Sequence, residues 1–171
     1  MQEAPGRRRK LLMRRKDREV TDMKEIEDII RKCSVCRVGM ISRGKPYIAA
    51  MNFGYEISGG DVTVYLHSAP EGRKIEALSE NPDVCIQMDL QAGLSGEGAD
   101  GCSYSFMYES VLAEGRAAEV TEKAGKIHAL NMIMRHQTGS GEDFAFGAEM
   151  LDAVCVFSVK CSSISAKKNV K

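Results

Sequence analysis

The sequence lacks net charge, since 24 Lys and Arg residues balance 24 Asp and Glu residues. No broad basic face is therefore expected to follow a nucleic-acid backbone. A long hydrophobic run is also missing. Only Leu11, Leu12 and Met13 interrupt the charged head, far short of the apolar segment of a secretory signal, and no stretch approaches a membrane span. These absences predict a cytoplasmic protein with no nucleic-acid or membrane partner and with its six cysteines reduced. A zinc site is not expected either. Cys33 and Cys36 form a CxxC, but no second CxxC exists and Cys155 and Cys161 are too widely spaced to complete one. A redox role fits no better, because the pair follows a helical pattern and so meets the wrong end of the helix dipole. Both cysteines read as small apolar filler. No internal repeat is visible.

What is present suffices for one domain. The chain has 171 residues, 43% of them apolar, enough to bury a core without staples. The charge is unevenly spread: residues 1–20 carry eight cations against three acids, a net +5. This head could serve as an arm for nucleic acid or a membrane surface, but a solvated tail is the simpler reading. The expected division is a basic tail over 1–20 and a single domain over 21–171.

Asp22 and Glu25 form a capping-box pattern, and Met23, Ile26, Ile29, Ile30 and Cys33 recur at helical spacing, predicting a helix over 22–33. Strands are expected at 34–42, 46–56, 62–67, 83–90, 104–120 (bent near Gly115) and 152–165, with a glycine-rich loop over 91–102. A short helix over 71–81 is stopped by Pro82, and Thr121 is placed to cap a helix with Ile127, Leu130 and Met134 on one face. Six strands in hairpin succession with interspersed helices predict an α+β fold, mainly antiparallel, as a barrel with flanking helices. Gly96, Gly98 and Gly101 spell a GxGxxG, but no strand leads directly into it and no helix follows, so it reads as loop.

The stretch LHSAPEGRK (66–74) ends a strand on His67 and Ser68 and then sets Arg73 and Lys74 at the head of a helix. Cations in a first turn oppose the helix dipole by about 0.3–1 kcal/mol each. A phosphate there reverses that sign. Free helix amides, the Ser68 hydroxyl, the guanidinium fork of Arg73 and the point charge of Lys74 can converge on it, and Gly72 permits close backbone approach. The alternative is that both cations merely face solvent. His67 also leaves two readings open, a structural residue or a substrate-side acid with a pKa near neutrality.

The strand ending in His-Ser, followed by Gly-Arg-Lys at the head of a helix running to Asn-Pro, resembles the FMN-binding split barrel of the pyridoxamine 5′-phosphate oxidase superfamily. MRRKDREVTD, GKPYIAAMNFGY and YLHSAPEGRKIEAL are similar to the Nim-type nitroimidazole reductases, and the likeness spans about Met13 to Ser165. The resemblance implies a six-stranded split β-barrel that binds FMN at a homodimer interface. Ser68, Arg73 and Lys74 then hold the FMN phosphate, with Leu66, His67 and Gly72 as further cofactor contacts and His67 as the catalytic candidate beside the flavin. Met51, Asn52 and Phe53 lie along the ring, mostly through backbone, and Ser110 stands where the oxidases place a polar flavin contact, often Gln. The C-terminal Arg-rich segment of true pyridoxamine phosphate oxidases is replaced by SISAKKNVK, which argues against vitamin B6 oxidation. The implied activity is reduction of a small electrophile such as a nitroaromatic, with electrons from NAD(P)H or ferredoxin. The alternatives are a flavin carrier or redox sensor without turnover, and a haem- or tetrapyrrole-binding split barrel.

Overall fold

The computed structural model describes residues 13–170; the first twelve residues, which carry half of the basic head, lie outside it. A single turn of 3-10 helix over Lys16–Arg18 leads into a two-residue strand, β1 (Glu19–Val20), which pairs with the end of the last strand. Helix α1 (Met23–Lys32) forms where expected. Its N-cap Asp22 accepts from the Lys24 amide at 2.9 Å, and Ile26, Ile29 and Ile30 are buried on one face. The reciprocal half of the capping box does not form, because the Glu25 carboxylate pairs with Lys168 instead.

Strands β2 (Cys36–Ser42), β3 (Lys45–Met51), β4 (Gly54–Ser58), β5 (Asp61–Ser68), β6 (Asp83–Ser95), β7 (Ser105–Glu119) and β8 (Cys155–Asn169) build one antiparallel sheet. Its order is β3-β2-β6-β7-β8-β5-β4. The hairpins turn tightly. Arg43 (φ 54°) and Gly44 (φ 71°) link β2 to β3, one residue fewer than expected, and Gly59 and Gly60 link β4 to β5.

Eight strands therefore replace the expected six. Two causes account for this. β1 is too short to show a period, and the single strand expected over 46–56 breaks at Asn52-Phe53. That break shapes the split barrel. β3 and β4 occupy opposite ends of the sheet path yet are joined by only two residues, which span about 10 Å at most. The sheet must curl until these two strand ends come together, while β3 and β4 make little further contact and leave an open seam without ladder bonds.

Three further expectations are corrected. Residues 91–95, expected as loop, continue β6 past a register shift between Gln91 and Gly93, where φ at Gly93 is 128°. Helix α3 (Lys123–Thr138) begins after Glu122, not after Thr121, and buries Ala129, Leu130, Asn131 and Ile133 against β4, β5 and β8. Residues 148–153 form helix α4 (Ala148–Ala153), so the last strand starts only at Cys155 and runs on to Asn169. The bend at Gly115 is present as a β7–β8 register shift between Glu114 and Gly115. The Gly96 and Gly98 segment lies between β6 and a 3-10 turn that feeds β7, so it is loop.

The barrel core gathers Ile29, Ile30, Cys36, Val38, Phe53, Val64, Leu66, Ile86, Met88, Val111 and Val159, all nearly inaccessible. Cys33 and Cys36 belong to it. Burial pushes the Cys33 thiol to about 11 and that of Cys36 to about 12. Both should therefore resist an aromatic disulfide reagent at neutral pH in the native state, while the exposed Cys102 reacts at once. Rapid native labelling of Cys33 or Cys36, mapped by peptide mass, contradicts the filler reading.

Candidate functional site

The site is built at the head of helix α2 (Arg73–Glu80). Its N-cap is Gly72 with φ 109°, a backbone conformation that side chains rarely adopt, and nothing lies within 4 Å of where a Cβ would stand. The first helical bond runs from the Glu76 amide to the Gly72 carbonyl at 3.2 Å. The amides of Arg73, Lys74 and Ile75 thus have no partner inside the helix.

β5 delivers the residues opposite. Strand alternation buries Leu66 and Ser68 and turns His67 outward to solvent. Met51, Leu66, Ser68 and Lys74 line one narrow cavity of about 10 Å³, with Val38, Met40, Leu78 and Phe157 completing its wall. Met51, Leu66, Ser68, Gly72, Arg73 and Lys74 are therefore brought to one place, from three separate elements.

Arg73 is held by two residues that the sequence does not single out. Its Nε donates to the Ser42 hydroxyl at 3.1 Å, and its guanidinium lies 4.2 Å from the centre of the Tyr47 ring. Ser42 is buried at the end of β2. Neither terminal guanidinium nitrogen has a hydrogen-bond partner among the described residues. Neither Arg73 nor Lys74 has a carboxylate partner among the described residues, although Glu76 stands on the same helix; Glu76 pairs instead with Arg43 at 3.0 Å. His67 feels this charge. Although the residue is exposed, partial shielding by the surrounding protein first, and then Lys74, hold its imidazole below the ordinary histidine range.

The other expected contacts are distributed differently. Asn52 is exposed, and its amide nitrogen donates to the Ser34 carbonyl (3.2 Å) and to Gln137 Oε1 (3.1 Å). The Phe53 ring is buried against His136 at 4.5 Å, and the Phe53 carbonyl accepts from Gln137 at 3.0 Å. Gln137 and His136 clasp the two-residue link that closes the barrel, a role invisible in the sequence because it joins positions more than 80 apart. Ser110 lines a separate groove of about 530 Å³ with Gln87, Leu112, Ile164 and Lys167. On β8, Ser68 faces Cys155 and Ser110 faces Lys167, so the two lie roughly 40 Å apart along that strand at about 3.3 Å per residue. One copy does not bring Ser110 to the α2 head. No group of His, Cys, Asp and Glu among the described residues is placed to hold a metal, and no helix among them is long and apolar enough to cross a membrane.

The sequence profile described as pyridoxamine 5′-phosphate oxidase matches residues 22–168. The chain belongs to that family. Members of its fold surround it. A proposed 5-nitroimidazole antibiotic resistance protein from Bacteroides thetaiotaomicron is 36% identical, with a TM-score of 0.75 over 88% of this chain and 86% of its own. The flavocytochrome Anf3 from Azotobacter vinelandii (23% identity, TM-score 0.76, 94% and 73% of the two chains) shares the fold. So does an FAD- and haem-binding protein from Mycobacterium smegmatis (17% identity, TM-score 0.75, 89% and 73%). No curated protein matches the chain. The family's antiparallel split-barrel α+β architecture is the one described above.

Proposed function

We propose that the chain binds FMN, with its phosphate at the head of α2, and serves as an oxidoreductase for a small electrophile, a nitroaromatic such as a nitroimidazole being the leading class. The observation that carries this reading is the pair of cations, Arg73 and Lys74, without carboxylate partners among the described residues, beside three free helix amides and the Ser68 hydroxyl. That set fits a terminal phosphate dianion, because it supplies charge, donors and an open approach over Gly72. The kinship to the Bacteroides protein supports the substrate class. Bound flavin supplies the redox chemistry, drawing electrons from NAD(P)H or ferredoxin. The chain's own residues hold the phosphate, orient the ring beside Met51 and Asn52, and present His67 as a proton donor at the exposed side of β5. The site is completed by a second copy, which brings Ser110 or its neighbours to the flavin edge.

Arg73→Ala and Lys74→Ala test the phosphate assignment. Losing a charge-assisted bond costs about 1.5–3 kcal/mol, so FMN affinity should fall about 10- to 150-fold in each, while riboflavin, which has no phosphate, barely responds. Both side chains reach solvent, so the fold should persist. Unchanged FMN affinity in both variants, measured by fluorescence quenching, sinks the assignment. The exposed His67 imidazole also favours a second reading, a tetrapyrrole ligand, which the absorption spectrum of the purified protein separates from flavin. Stopped-flow reduction by NADH, NADPH or reduced ferredoxin separates turnover from a carrier or sensor role.

A further inference from the structure

The β2–β3 turn holds the only non-glycine residue with a left-handed backbone among the described residues, Arg43 at φ 54°. That conformation costs a residue with a side chain about 1–2 kcal/mol, and glycine or asparagine is the usual occupant of such a turn. Stability does not account for the arginine. Its ion pair with Glu76 at 3.0 Å leaves 77% and 52% of the two side chains open to solvent, and exposed pairs contribute about 0–1 kcal/mol.

What the side chain does is divert a carboxylate. Residues 73 and 76 are three apart on α2, so Arg73 and Glu76 are neighbours that would ordinarily pair. Instead, Arg43 Nη2 donates to Glu76 Oε2, and the Arg43 backbone amide donates to Glu80 Oε2 at 3.2 Å. Both acids of α2 are thus bound at the β2–β3 turn. Arg73 is held from the same hairpin, but by Ser42 and Tyr47. One hairpin sorts the charges of the helix, taking its two carboxylates and leaving the guanidinium of Arg73 without one.

We propose that Arg43 is a positioning residue for the anion at the head of α2. It holds the Glu76 carboxylate off Arg73, so the charge of Arg73 stays uncompensated until a phosphate binds. The inference rests on the phosphate reading of that head. Without Arg43, a free carboxylate stands about one helical turn from the phosphate, where it repels the dianion and competes with it for Arg73. A pair that merely stabilised the turn would have neither effect.

Arg43→Gly tests it, because glycine accepts the left-handed turn and keeps the backbone amide that donates to Glu80. Arg43→Asn takes its place if that variant fails to fold. Affinities for FMN and riboflavin are read on the full chain by fluorescence quenching, at low and at high salt. FMN affinity should fall about three- to tenfold at low salt, and the loss should shrink at high salt, as screening of an exposed charge requires. Riboflavin affinity should hold. In a Glu76→Gln background the same substitution should change FMN affinity by no more than about twofold, since no carboxylate is left to release. If Arg43→Gly binds FMN as the unaltered chain does while Arg73→Ala still weakens binding, the positioning role is overturned and the phosphate reading stands. A loss of equal size in both backgrounds, or one shared by riboflavin, assigns Arg43 to the fold and overturns the role as well. Unchanged FMN affinity in Arg73→Ala and Lys74→Ala overturns the phosphate reading, and this inference with it.

Discussion

Replacing His67 with Ala is expected to leave FMN affinity near that of the unaltered protein and to reduce turnover of a nitroaromatic by about 10²–10⁴-fold, the range for loss of a general acid. The motivation is positional. Ser68 faces the cavity with Lys74, and strand alternation turns the adjacent imidazole away from it, to the side a substrate can approach. The direction of its pKa sharpens the expectation. Partial shielding by the surrounding protein and the charge of Lys74 both disfavour the protonated imidazole even though the residue is exposed, so the protonated fraction at neutral pH is smaller than for a free histidine. A reaction that takes its proton from His67 should therefore speed up as pH falls from 7 through the lowered pKa and level off below it. A phosphate bound at Lys74 offsets that positive charge and should move the profile upward. His67→Ala should lose the pH dependence along with the rate. If the variant instead loses flavin and stability together, with activity per bound flavin unchanged, His67 is structural.

Gly54→Ala is expected to be among the most damaging single-methyl additions in the molecule. A Cβ at Gly54 would stand 2.4 Å from the Ile133 nitrogen and the Met132 carbonyl carbon, and 2.5 Å from the Met132 oxygen. These are backbone atoms of α3, which cannot rotate aside. The helix has to move off β4 as a body, breaking the packing of Leu130 and Ile133 and the Gln137 clasp on Asn52 and Phe53. Overpacking a well-filled core costs about 1–3 kcal/mol, and a backbone clash belongs at or above the upper end. At about 2–4 °C per kcal/mol for a chain of this size, Tm should drop by roughly 10 °C or the protein should fail to fold. A thermal unfolding midpoint equal to that of the unaltered protein refutes the close packing of α3 on β4. Gly141→Ala, at an exposed loop position with no atom within 4 Å and no positive φ, serves as the comparison.

The elements at the head of α2 were legible because their logic is local. A strand end, a glycine with positive φ and two cations in a first turn all fall within nine consecutive residues, and the dipole argument needs nothing else. Helix α1 was equally plain, from its cap and its isoleucine spacing. What stayed hidden depends on distant partners. Ser42 and Tyr47 hold Arg73 across some thirty positions, and neither carries a mark of that task. The break at Asn52-Phe53 was concealed because the apolar run Ile48–Met51 resumes at Phe53 after a single Asn, and only the barrel decides which residue must turn the corner. Gly93 disguised the end of β6 by shifting its register, and the six residues of α4 are too few to display a helical period.

The two-residue link at the seam also bears on how the chain finds its shape. The central β7–β8 ladder joins residues from 38 to 61 positions apart, so it forms only after a long loop has closed, and topology of this kind folds slowly. The seam imposes no such search. Once β3 has zipped onto β2 and β4 onto β5, each through a two-residue turn, the outer strands are already tethered end to end. Closure of the barrel is then set by chain connectivity, and α3 has only to settle over a gap whose width is already fixed.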